Sequence, residues 1–170
     1  AASDLHIAAG GGLAMVTYTF SHTRNDDVEA LVKRLRAALV WLRTHRDYKK
    51  VVRACDQLGI IRALEVTHGS NGWHPHIHEL WLTSKPLPDS VLRDLRNDLF
   101  DVWLKACSRS GLGLPNRQNG VNVVQAYSAA EYVAKFGREQ KWGAGAELTK
   151  AHVKRGRKES RTPFDLLRSS

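Results

Sequence analysis

Cysteine is nearly absent: Cys55 and Cys107 are the only two in 170 residues. Two thiols cannot build a disulfide scaffold or a cysteine-based zinc site, and they fit a reducing, cytoplasmic setting better than a secreted one. No apolar run approaches the ~18 residues that a membrane-spanning helix needs. No signal-peptide pattern is visible, and an N-terminus of Ala-Ala-Ser without Met suggests a trimmed chain. Thirteen Gly and five Pro are ordinary numbers, which excludes collagen-like and disordered classes. No Gly-x-x-x-x-Gly-Lys-Ser/Thr pattern occurs, so no P-loop helicase is built in, and no internal repeat is visible. What remains is one domain's worth of sequence, 19.0 kDa and 42% hydrophobic, enough to bury a core.

Acidic residues are in deficit. Lys and Arg number 26 against 17 acids, a net charge of +9. Residues 1–140 carry 18 basic and 14 acidic side chains, and residues 141–170 carry 8 and 3. More than half of the excess therefore sits in the last thirty residues. Such a balance favours a polyanionic partner, nucleic acid before an anionic membrane.

Hydrophobic periodicity predicts the elements. Residues 13–20 are β-branched and aromatic and read as a strand. Asn25 or Asp26 can cap a helix whose apolar stripe is Val28, Leu31, Val32, Leu35, Leu39 and Leu42, with Asp26 and Glu29 in capping-box spacing. Helix resumes over Tyr48–Leu58 and stops at Gly59. Residues 60–68 and 73–83 read as two strands joined through Gly69-Ser-Asn-Gly72. A helix opens at Asp89 or Ser90 with Leu92, Leu95, Leu99, Val102 and Trp103 on one side, residues 110–120 form a loop, and Val121–Ala126 is a short strand. Ser128 caps a last core helix carrying Glu131, Tyr132, Lys135 and Phe136. The tail from Lys141 reads as up to two short helices. The order predicts an α+β fold, an antiparallel sheet with helices packed on it.

The sharpest local feature is His74-Pro-His76-Ile-His78. Alternate strand residues share a face, so three imidazoles point one way, an arrangement a divalent metal can use. Hairpin parity adds a carboxylate. With Asn71-Gly72 as the turn, Glu65 faces His78; with the loop Gly69–Gly72, Glu65 faces His76. In both registers Glu65 shares the histidine face, whereas His68 and Glu79 lie on the other. Two imidazoles and one carboxylate suit Mn²⁺, Mg²⁺, Fe²⁺ or Zn²⁺. A cupin-type site would want a Glu a few residues downstream, where Leu82, Thr83 and Ser84 stand instead.

Tyr132 and Lys135 sit at i and i+3 on one helix face. A tyrosine nucleophile beside a lysine and a metal is a workable phosphoryl-transfer site, because the metal polarises phosphorus and the lysine stabilises developing charge. Tyr127, five residues earlier, is a poor twin. The bland fate of Tyr132 is a packed or interface side chain, and core packing is the commoner fate of Trp73, Trp81, Trp103 and Trp142.

Glu65-Val-Thr-His-Gly-Ser-Asn-Gly-Trp-His-Pro-His-Ile-His-Glu-Leu, followed by Glu131-Tyr-Val-Ala-Lys135, resembles the replication initiator proteins of rolling-circle plasmids, members of the HUH endonuclease superfamily. The strand Val16–Phe20 looks like the family's first motif, His76-Ile77-His78 its second, and Tyr132-x-x-Lys135 its third. The resemblance implies a central antiparallel sheet of about five strands with flanking helices. It implies a nicking-joining domain over residues 1–140, with 141–170 a basic extension packed on or part of it. His76, His78 and Glu65 would hold one divalent ion, Mn²⁺ or Mg²⁺. Tyr132 would attack single-stranded origin DNA, leaving a 5′-phosphotyrosine and a free 3′-OH, with Lys135 as the accessory lysine. Expected partners are single-stranded or origin DNA and host replication proteins (helicase and polymerase) in a bacterial cytoplasm, with no membrane. Lys141, Lys150, Lys154, Arg155, Arg157 and Lys158 are the expected DNA contacts in the tail. Some such initiators carry Glu four residues before the tyrosine; Ser128 stands there.

Other readings are a single-tyrosine HUH transposase, which shares the histidine-then-tyrosine order, a non-catalytic DNA-binding module derived from an initiator, and a metal-dependent enzyme on small molecules. The second leaves the convergence of Glu65, His76 and His78 unexplained, and the third leaves the basic tail unexplained.

Overall fold

The computed structural model describes residues 2–126, which form a four-stranded antiparallel sheet with helices against it. In chain order the elements are α1 (Ala2–Ala8), β1 (Gly12–Tyr18), α2 (Val28–Thr44), α3 (Arg46–Ala54), β2 (Gln57–Gly69), β3 (Gly72–Thr83), α4 (Asp89–Ser110) and β4 (Val121–Gln125). The strands lie side by side as β2-β3-β1-β4. The α+β class follows as expected. Among the described residues the sheet has four strands, against the about five expected of the whole chain. β4 does not lie beside the hairpin: it pairs with β1, which stands between.

Strand alternation gives the sheet two unlike faces. Ala14, Val16 and Tyr18 of β1, Ile77 and Trp81 of β3, and Val121 and Val123 of β4 face one way. Against them pack Leu31, Leu35, Ala38, Leu39 and Leu42 of α2, Tyr48 and Val51 of α3, and Leu92, Leu95, Leu99, Val102 and Trp103 of α4. The apolar stripes predicted for α2 and α4 are the buried ones. Trp81 and Trp103 are core residues: Trp103 donates to Thr19 O at 2.7 Å and its ring packs against Tyr18. The opposite face carries a smaller cluster of Leu13, Ala63 and Leu80, flanked by Met15, Leu82 and Ala126.

Several boundaries differ from the expectation, two of them for a plain local reason. The cap of α2 is Asp27, whose carboxylate accepts from Ala30 N at 2.8 Å; Asp26 instead closes the preceding turn by accepting from Thr23 N and Oγ1. The helix after Tyr48 ends at Ala54 rather than running to Leu58, because Asp56 adopts the left-handed conformation, φ 46°, that glycine was expected to supply at 59. Gly59 lies inside β2 at a register shift between Gln57 and Gly59. The short helix α1 has no counterpart in the sequence reading. Ser128 and the helix it was expected to cap, with the boundary at 140/141, lie outside the described residues. Among the described residues no helix is long and apolar enough to cross a membrane.

One polar pair sits under the helices. Glu79 is fully buried and accepts from Arg62 Nε at 2.8 Å, again from Arg62 Nη2, and from Trp81 Nε1 at 2.9 Å. Removing the carboxylate leaves a partly buried guanidinium and a buried indole N–H without their acceptor. Glu79→Ala should therefore lose about 3–5 kcal/mol of stability in urea unfolding, while Arg62→Leu with Glu79→Leu should recover part of that loss.

Candidate metal centre

The β2–β3 hairpin turns through Ser70 and Asn71, with Gly69 opposite Gly72. Neither central residue has positive φ; Gly72 takes the left-handed position at φ 86°. This is a turn followed by a left-handed glycine, not one with Asn-Gly at its centre. It selects the second of the two expected registers: Glu65 stands opposite His76, and Ala63 opposite His78. A Cβ on Gly72 would meet Arg24 Cα at 2.8 Å, so glycine is needed here for close approach as well as for φ.

In this register Glu65, His76 and His78 converge. Glu65 Oε2 lies 3.2 Å from Nε2 of His76 and 3.2 Å from Nε2 of His78, and one ligand atom from each of the three residues falls within 4.8 Å of the others. All three side chains are largely shielded, and His78 is only 7% exposed. The far ring nitrogens are also held. His76 Nδ1 lies 3.2 Å from the backbone oxygen of His74, and His78 Nδ1 lies 3.0 Å from Thr17 Oγ1. A carbonyl oxygen only accepts, so the hydrogen of a neutral His76 ring sits on Nδ1 and its Nε2 is a lone pair. That lone pair faces a carboxylate, and the two acceptors need a proton or a cation between them. Such outer contacts are the kind that orient imidazoles toward a metal. The group could hold a metal ion.

Thr17 was not singled out from the sequence. Its place depends on the pairing of β1 with β3, which sets Thr17 opposite His78 across 61 residues of chain, and no local pattern reports that pairing.

His74 shares the face but does not join the group. Its ring stacks on His76, centroids 5.0 Å apart, and packs at a tilt against His22 of the β1–α2 loop at 4.7 Å. Burial, and then the neighbouring His76 and His22, push His74 down to about 4, so it is neutral at pH 7. His22 Nδ1 meets the backbone oxygen of Asn71 at 3.1 Å, which fastens that loop to the hairpin tip. His68 lies on the opposite face, edge-on to Trp73, as parity required.

The chain's four tyrosines are 18, 48, 127 and 132. Tyr18 and Tyr48 are buried on the helix side of the sheet. Burial and the Glu79 carboxylate push both phenols above their ordinary range. Cys55 and Cys107 are free and buried, and burial pushes the Cys107 thiol up to about 12. None of these four faces the histidines. Tyr127, Tyr132 and Lys135 lie outside the described residues, as do the tail cations Lys141, Lys150, Lys154, Arg155, Arg157 and Lys158, together with Trp142.

No family model matches the chain. The chain is 26% identical over 211 aligned positions to a Streptomyces lividans protein named "Protein rep", an alignment covering 95% of this chain and 46% of that protein. It thus spans about half the length of that curated relative. A Burkholderia cenocepacia crystal structure named for amidohydrolase/peptidase activity aligns over 69% of this chain and 28% of its own at 14% identity, with a TM-score of 0.27, a likeness that carries no argument.

If the group takes a metal, Mn²⁺ or Co²⁺ added to the protein should raise its melting temperature, by an amount equivalent to about 2.7 kcal/mol at a hundredfold excess over Kd. Glu65→Gln or His76→Ala should remove most of the effect. Protons compete with the metal for the ligand atoms, so the shift should shrink in acid.

Proposed function

We propose that this chain is the nicking-joining domain of a rolling-circle replication initiator, a metal-dependent endonuclease and strand transferase with an HUH-type fold acting on single-stranded origin DNA. The observation that carries the reading is the convergence of Glu65 with His76 and His78 on the sheet face away from the longer helices. Its support is the similarity to a protein named rep, the His-hydrophobic-His and Tyr-x-x-Lys motifs in that order, and the charge of +9.

Glu65, His76 and His78 are the ligands in this reading. The ion they hold would polarise the non-esterified oxygens of the scissile phosphate. Two imidazoles in the set favour a transition ion such as Mn²⁺ over Mg²⁺, which prefers oxygen donors and water. Thr17 and the His74 carbonyl hold the two imidazoles in place.

Tyr132 is the nucleophile. Its phenolic oxygen bonds to phosphorus as the P–O3′ bond breaks; the phenol proton departs, and the 3′ oxygen leaves as a hydroxyl once protonated. The products are a 5′-phosphotyrosine and a free 3′-OH, and the reverse step rejoins strands. Lys135 stabilises the developing negative charge. Elimination supports the assignment, since Tyr18 and Tyr48 are buried on the wrong face. Reach supports it too. Ala126, the last described residue, packs against the Leu13, Ala63 and Leu80 cluster on the face that carries the histidines. It lies two strands across and four strand rows along from His78, ~16 Å. The six residues from Ala126 to Tyr132 can span up to ~20 Å.

The decisive measurement is mass spectrometry of the peptide linked to cleaved single-stranded DNA. Tyr132→Phe should abolish the adduct and keep DNA binding, and Tyr127→Phe should leave the adduct intact; an adduct surviving in Tyr132→Phe refutes the assignment. His76→Ala with His78→Ala should abolish metal-dependent cleavage.

The tail cations Lys141, Lys150, Lys154, Arg155, Arg157 and Lys158 contact the DNA backbone in this reading. Deleting residues from Lys150 onward should weaken binding to all sequences alike and flatten the dependence of log K on log salt. An unchanged slope means that the tail does not touch the phosphates.

A further inference from the structure

On the helix side of the sheet, where α2 passes over β2, a groove of about 370 Å³ lies open. Its floor is aliphatic, formed by Leu35 and Leu39 of α2, Leu64 of β2 and Ile77 of β3. Val40 on its rim is 65% exposed and Leu64 on its floor is 40% exposed, so apolar surface here is left open to water. Arg36 and Arg43 also line it. Among the described residues neither makes an ion pair. Arg62, the third guanidinium in the lining, is already neutralised by Glu79.

The surrounding charge is lopsided. Residues 28–54, the span of α2 and α3, hold eight basic and two acidic side chains, while the other described residues hold eight basic and ten acidic. The positive charge of the described domain is therefore concentrated on α2 and α3, and α2 supplies Arg36 and Arg43 to this groove. Among the described residues no aromatic ring lines it. Single-stranded nucleic acid is gripped by stacking bases on aromatic faces, and an aliphatic floor offers none. A second copy of this chain, itself at +9, would be repelled.

We infer that this groove docks an acidic, amphipathic helix of a partner protein, its apolar side chains on the aliphatic floor and its carboxylates on Arg36 and Arg43. The spacing defines the ligand. Seven residues separate the two arginines, a rise of ~10 Å along α2. A partner helix lying alongside would match them with acids one heptad apart and apolar residues between. The site is on the opposite sheet face from Glu65, His76 and His78, so a partner could stay bound while that face is occupied. The inference does not depend on the nicking activity.

The test is an amide-shift titration of the ¹⁵N-labelled full chain. Three probes are used: a helical peptide with Glu one heptad apart flanking leucines, the same peptide with Lys for Glu, and an oligo-dT strand. The Glu peptide should move the amides of Val32, Val40, Leu64 and Ile77. Arg36→Glu with Arg43→Glu should weaken it tenfold or more and admit the Lys peptide instead, while the covalent DNA adduct forms as before. Both arginines are exposed, and Arg36→Gln with Arg43→Gln provides a milder loss of the same sign. Four results would each overturn the inference: no groove shifts with the Glu peptide at millimolar concentration, equal binding of both peptides, the same amides moved by oligo-dT, or shifts that depend on protein concentration alone. None of them bears on Tyr132, so the two readings fail separately.

Discussion

The direct opposition of Arg62 and Glu79 across the β2–β3 hairpin is the contact on which the candidate site depends. Strand side chains alternate with period two, so a slip of one residue would carry every side chain of β2 to the other face. Such a slip would strand Glu79 beneath the helices without its guanidinium and bring Glu65 to the wrong side of the sheet. The same register that satisfies the buried carboxylate places Glu65 opposite His76 on the other face. The pair under the helices thus sets the donor set above them. The two faces are specified together, one by the cost of an unpaired buried charge and the other by the chemistry it permits.

Much of this was legible in the sequence because it is local. The stripe Leu31, Leu35, Leu39, Leu42 and the set Leu92, Leu95, Leu99, Val102, Trp103 follow helical spacing and are buried. The hairpin parity that joins Glu65 to His76 and His78 needs only a turn and a period of two. The register itself stayed open between two choices, because the glycines at 69 and 72 allow the turn to be centred on either pair. Asp56 was not legible as a helix stop, since a left-handed aspartate leaves no pattern distinct from a polar surface residue. Thr17 was not legible as a support for His78, since β1 and β3 are brought together only by the tertiary fold. Nor could spacing tell that β1 would insert between the hairpin and β4.

The division between the faces also sorts reactive side chains. Both described tyrosines and both cysteines lie on or near the helix side, where burial raises the phenols and the Cys107 thiol out of reach of neutral-pH ionisation. The imidazoles and the Glu65 carboxylate lie on the other side. Ala126, the last described residue, is also on that side.

The hairpin tip has a practical consequence for anyone who re-engineers this chain. A two-residue surface turn is ordinarily a safe place to splice in a tag or a fluorophore. Here the tip is clasped: Gly72 nests against Arg24, and His22 reaches the Asn71 carbonyl while its ring packs against His74. An insertion at residues 70–71 would pry the β1–α2 loop away and loosen the row of ring contacts that runs from His22 through His74 and His76 to His78.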